Sequence, residues 1–301
     1  MSWRKLLYRA GLALGVMLLL KQAWEICKAA SQENLQVSWS DWGWGALLFS
    51  LMAYFVQVLA WTMIMRSLNV SMGLTQAIRG YFYSFLPRYI PGSVWGYWSR
   101  SEWLKQRCGI NYAISARASV LETLALILTA FLLISVWFSL YIADLKRLAL
   151  GTAFVGLLIF IWLSLSRLVP HFKCWRIKES LNEQMRVSFL SWAFAIILYL
   201  VLWCLHGGSV YLAGRAFLPT SSLSLSGAVF ATTLAWLVGF IAIIVPAGIG
   251  VRELTFSTIL SSYFNLLPGQ ASLIAIAYRF IVILAEVAWL LIGLALEARI
   301  K

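Results

Sequence analysis

Apolar residues dominate this chain in long blocks, and a span needs about 20 of them to cross the hydrocarbon core of a membrane. Segments of that kind run approximately from Lys5 to Cys27, Gly43 to Met65, Ala116 to Ala143, Leu148 to Leu168, Val187 to Ala213 and Ser272 to Leu296. Two further regions are apolar but interrupted. Between Gly73 and Arg107 a short apolar segment, Ala77 to Leu86, stops at Pro87-Arg88-Tyr89-Ile90-Pro91-Gly92 and resumes as a Trp-rich basic helix. Between Leu223 and Phe264 a longer one stops at Pro246-Ala247-Gly248-Ile249-Gly250 and resumes from Val251. Proline breaks helices, and irregular backbone at membrane depth is tolerated only where it is buried in protein or lines a cavity. The expected fold is an all-α polytopic membrane bundle with two re-entrant or broken helical hairpins, forming one membrane domain over residues 1–301.

Lysine and arginine in short loops set the orientation. With the N-terminus inside, the inner loops receive Arg66, Arg100, Lys105 and Arg107, then Arg167, Lys173, Arg176, Lys178 and Arg186, and finally Arg299 and Lys301. The outer loops receive Lys28, Lys146, Arg147 and Arg215. The expectation is a multi-pass protein of the cell (plasma or inner) membrane with both termini cytoplasmic. Its hairpins open to opposite sides, and each is followed by a long span carrying charge. That suggests an inverted repeat of residues 43–143 and 187–296, a pattern typical of secondary transporters. The basic start at Arg4 and Lys5 also suits a signal peptide. No clean small-residue cleavage site follows, so an uncleaved first span is expected.

Composition narrows the function classes. Hydrophobic residues make up 62% and charged ones 12%, against about 25% charged in a soluble domain. Sixteen Trp and twelve Tyr supply rings that favour membrane interfaces. The net charge of +13 does not form the solvated basic stripe of a nucleic-acid binder, so no nucleic-acid partner is expected. Four scattered cysteines and two histidines offer no metal-ligand spacing or disulfide framework. No metal or cofactor is expected.

The informative residues are charges inside apolar sequence: Arg79, Arg88, Arg117, Glu122, Arg252, Glu253, Arg279 and Glu286. Each costs about 3 kcal/mol at the centre of a spanning helix, which implies mutual pairing, a wet cavity or a charged ligand. Arg279 and Glu286, seven residues apart, share a helix face. Arg117 and Glu122 diverge by roughly 140°, so Glu122 needs a partner on another segment, with Arg88 or Arg252 as candidates. Buried ion pairs holding the bundle together are the plain alternative to a binding site. After Gly92 and after Gly250 a new helix begins near mid-membrane, and a helix start favours an anion. Gly248 and Gly250 allow close backbone approach, and Arg88 and Arg252 flank the two breaks. A phosphate or other anionic head group suits that combination. Trp95, Trp98, Arg100, Trp103, Lys105 and Arg107 suit either contact with anionic lipid of the inner leaflet or an ordinary interfacial anchor, and the anchor is the favoured reading. Tyr81, Tyr83, Tyr89 and Tyr97 read as packing and interface residues.

At Phe85-Leu86-Pro87-Arg88-Tyr89-Ile90-Pro91-Gly92 with Arg100 downstream, at Ala116-Arg117 through Glu122, and above all at Val245-Pro246-Ala247-Gly248-Ile249-Gly250-Val251-Arg252-Glu253, the sequence resembles the transmembrane, flippase-like domain of the lysylphosphatidylglycerol synthase family. The last stretch follows the family's Pro-Gly-Gly-x-Gly-x-Arg-Glu pattern, with Ala247 in place of the first glycine. The resemblance covers nearly the whole chain. It implies lipid translocation, and, since the chain ends at Lys301, the translocating half without the soluble aminoacyl-transfer domain. It also implies that glycolipids or polyprenyl-phosphate carriers are open as substrates.

The first functional reading is a flippase-like transporter of an anionic phospholipid or a lipid-linked phosphate or glycolipid. Arg88 and Arg252 would bind phosphate, and Glu122, Glu253 and Glu286 would balance them when the site is empty. Gly-x-x-x-x-Gly-Lys-Ser/Thr is absent, so a gradient or downhill flow would drive it. Two alternatives stand beside it: a membrane-embedded transferase acting on a lipid-linked sugar or phosphate, using paired carboxylates, and a non-transporting partner of a separate synthase or glycosyltransferase.

Overall fold

The computed structural model describes residues 40–85, 87, 95–141, 188–219, 222–242, 245 and 248–298, together with Met17, Leu20, Lys21, Trp24, Cys27 and Lys28. Most of the expected span 5–27, all of 148–168, and the break residues Arg88, Pro91, Gly92, Pro246 and Ala247 lie outside the described residues. Within them the chain is helical: α1 (Asp41–Ser67), α2 (Leu74–Phe82), α3 (Trp95–Cys108), α4 (Tyr112–Tyr141), α5 (Phe189–Phe217), α6 (Leu225–Ile241), α7 (Val251–Phe264) and α8 (Pro268–Ala298).

Four of these helices, α1, α4, α5 and α8, are long and apolar enough to cross a membrane. They are apolar on nearly every face, as helices with lipid outside and protein inside must be. Leu48, Met52, Leu190, Phe194, Ile197 and Val201 are exposed on the outside of α1 and α5. Local signals fix the ends. Asp41 in the first turn and Arg66 in the last complement the dipole of α1. Ser224 caps α6 by accepting the Gly227 N–H at 3.1 Å. Asn265 ends α7 in the left-handed region at φ 53°, which its short polar side chain tolerates.

Long, short, short, long: the order α1–α4 recurs in α5–α8. The packing recurs with it. When α1, α2, α3 and α4 are exchanged for α5, α6, α7 and α8, every substantial contact among the described helices maps onto another such contact. The first short helix of each half docks on the last long helix of the other half through a stacked Phe–Trp pair. Phe82 meets Trp289 at 4.8 Å and 8°, and Phe230 meets Trp137 at 3.9 Å and 9°. Of the two main apolar cores, one gathers residues of α1 to α5 and takes Val282 and Ala285 from α8, and the other gathers α6, α7 and the first turns of α8 with Ile134 and Trp137 from α4.

The equivalent helices α1 and α5 run antiparallel along their whole length. Ser40 donates to the Ala216 carbonyl at one end, and the Ser188 N–H donates to the Ser67 carbonyl at the other. Between them, Ser50 and Ser209 share a hydrogen bond of 2.9 Å, and Ser209 donates to the Ala46 carbonyl. Lipid offers little hydrophobic drive for helix association, so small residues and hydroxyls carry such a seam. Gly208 lies where a Cβ would stand 2.6 Å from the Phe49 ring.

Candidate functional site

All eight helices contribute to a cavity of about 250 Å³ at the centre of the bundle. Its polar lining comes from Tyr54 on α1, Tyr81 on α2, Arg100 on α3, Glu122 on α4, His206 on α5, Arg252 and Glu253 on α7, and Tyr278, Arg279 and Glu286 on α8. Three arginines and three glutamates thus share one hollow.

Two of the arginines are paired. Arg100 is 2% exposed and donates through Nη2 to Glu122 Oε2 at 2.6 Å and to Ser119 Oγ at 3.0 Å. Tyr81 donates to the other Glu122 oxygen at 2.5 Å. The rings of Trp61 and Tyr81 stand 4.9 and 5.0 Å from Arg100 Cζ, so aromatic faces replace the water that the cation has lost. On the opposite side Arg279 Nε meets Glu253 Oε1 at 3.3 Å. Glu253 Oε2 also accepts the Gly250 N–H at 2.6 Å, so the positive end of α7 already faces a carboxylate three residues along.

Arg252 differs. Its guanidinium lies 5.9 Å from the Trp236 ring, no carboxylate among the described residues stands within ion-pair distance, and its buried Nε has no hydrogen-bond partner among them. Its stem crosses α6 over Gly239, where an added Cβ would collide with Arg252 Cγ. The backbone before it is drawn equally close: a Cβ on Gly248, which sits at φ +66°, would stand 2.9 Å from the Gly239 carbonyl oxygen. Glycine is required at both positions, and for the same purpose. Around this head lie Glu286, which accepts from the Tyr54 hydroxyl at 2.7 Å, and His206, whose Nδ1 shares a 3.0 Å hydrogen bond with the Tyr278 hydroxyl.

Of the residues singled out in the sequence, Glu122, Gly248, Arg252, Glu253, Arg279 and Glu286 line the cavity, and Gly250 sits at the start of α7 just behind it. Arg88 lies outside the described residues. Arg117 is half-buried on α4 and is not part of the lining. Two expectations need correction. The partner of Glu122 is Arg100, because α3 packs along α4 and brings Arg100, Ser119 and Glu122 into line. Arg100 is therefore a buried cation and not an interfacial anchor, although Trp95 and Trp98 beside it are exposed. Tyr81 is buried and donates to Glu122, Tyr81 and Tyr97 both line the cavity, and Tyr83 is exposed.

Tyr54, His206, Trp236, Gly239 and Tyr278 were not selected from the sequence. A histidine or glycine inside an apolar run carries no sign of which face it occupies until the helices are packed.

Against models of known protein families, the chain matches the one described as the lysylphosphatidylglycerol synthase TM region over residues 7–289. No individually curated protein matches it.

Proposed function

The chain belongs to the lysylphosphatidylglycerol synthase TM-region family and is a multi-pass membrane protein, and we propose that it carries lipid with an anionic head group, a phospholipid or a lipid-linked phosphate, across the bilayer. One observation carries the reading. Arg252 presents a guanidinium to a cavity inside the bundle with no carboxylate within ion-pair distance and a buried Nε unpaired among the described residues, while Arg100 and Arg279 are both matched. A buried cation without an ion-pair partner is costly, and an anionic ligand would make it tolerable.

The size of the hollow agrees. Pockets for drug-sized ligands run to about 300–1,000 Å³, so a hollow of about 250 Å³ suits a head group better than a whole lipid. The repeated contact plan and the antiparallel α1 and α5 support an inverted repeat, with head-group exchange between the two sides of the membrane around a fixed central site. We place both termini on the cytoplasmic side, following the lysine and arginine distribution.

Lipid retained after gentle extraction and identified by mass spectrometry tests the ligand class. Enrichment of phosphate-bearing anionic lipids over the bulk membrane is expected, and retention of zwitterionic lipid at its bulk proportion would remove the proposed specificity.

A further inference from the structure

Outside the central cavity a second hollow of about 530 Å³ lies between α3 and α4. Its walls include Trp95, Trp98, Val120 and Leu124, and its inner side carries Tyr97 and Ser119. Trp98 and Val120 are 61% and 58% exposed, and they face outward from a helix pair that includes a membrane span. The groove therefore opens on the outer surface of this helix pair.

Tyr97 stands between it and the charged interior. Tyr97 lines both hollows, its ring stands 5.5 Å from Arg100 Cζ, and its hydroxyl shares a hydrogen bond with Thr123 Oγ1 at 3.2 Å. Ser119, on the groove wall, is the acceptor of the Arg100 bond. Apolar groove, hydroxyl partition and arginine-lined cavity follow one another in the order of chain, linker and head group in a lipid.

The other half of the molecule supplies a comparison. Tyr97 is the third residue of α3 and Thr123 the twelfth of α4; at the third residue of α7 and the twelfth of α8 stand Glu253 and Arg279. The same junction is thus closed in one half by a long contact between neutral hydroxyls and in the other by an ion pair. A hydroxyl pair at 3.2 Å is beyond the usual O–H···O range, whereas charge-assisted contacts are stronger. The first junction is the easier one to part.

We propose, building on the reading of the central cavity as a head-group site, that the α3–α4 groove seats a hydrocarbon chain of the lipid and that Tyr97 is the gate its head group passes. The full-length protein is reconstituted in vesicles containing phosphatidylglycerol with a diazirine on one acyl chain, irradiated, and mapped by peptide mass spectrometry. Adducts at Trp98, Val120 and Leu124 are expected severalfold above those at Leu190 and Ile197, which are exposed on α5. Val120→Trp, a change at an exposed position, is expected to abolish that excess. Equal labelling of the two sets, or an excess that survives Val120→Trp, overturns the proposal. Labelling reports seating whether or not lipid crosses, so this result stands apart from the translocation assay that tests Arg252.

Discussion

Arg100 on α3 meets Glu122 on α4 at 2.6 Å, with both side chains almost wholly out of contact with solvent. Truncating one partner of such a pair leaves a buried charge without compensation, which costs about 3–5 kcal/mol. Glu122→Ala is therefore expected to lower the thermal unfolding temperature of the detergent-solubilised protein sharply. The double change Arg100→Met with Glu122→Leu should recover most of that loss. A single Glu122→Ala variant as stable as the parent would mean that the pair is not formed.

The tight spot between α5 and α6 yields a comparison within one glycine pair. A Cβ at Gly207 would stand 2.6 Å from Val229 Cα and 2.8 Å from its nitrogen, whereas at Gly208 it would meet the Phe49 ring. Backbone cannot move aside as a ring can, and forced overpacking costs about 1–3 kcal/mol or more. Gly207→Ala is expected to destabilise more than Gly208→Ala in thermal unfolding. The reverse order would contradict the α5–α6 packing.

Gly239→Ala acts on the site without touching a charge. The new methyl would occupy the path of the Arg252 stem, so the guanidinium must move or the helices must part. Slower translocation of anionic lipid, with stability lowered by about 1–3 kcal/mol, is the expected outcome. Translocation at the parental rate would show that Arg252 does not need this seat.

Why part of this was legible in the sequence, and part was not, follows from what apolar runs encode. Four spans could be read because about 20 apolar residues in succession leave few alternatives, and α1, α4, α5 and α8 fall where those runs lie. Pro and Gly marked where α3 and α7 begin, because neither break suits a continuous helix. Rotation about the helix axis was the harder matter. The positions of Tyr97, Arg100, Ser101 and Leu104 form an i, i+3, i+4, i+7 stripe, and they face inward. Three of its four members are polar, so beside Trp98, Lys105 and Arg107 it reads as an interfacial surface. Ser115, Ser119 and Glu122 form the complementary stripe on α4, meeting Ser101 and Arg100. Two polar stripes of matching spacing on neighbouring helices were the signal that could have found the pair.

The guanidinium of Arg252, which has no ion-pair partner among the described residues, is proposed to hold an anionic head group within the bundle. Arg252→Ala, reconstituted in vesicles and compared with the parent for movement of fluorescent phosphatidylglycerol between leaflets, tests it most directly. Loss of translocation by a variant that keeps its helical content and its unfolding transition is the expected result. Undiminished translocation by a folded Arg252→Ala protein would contradict it.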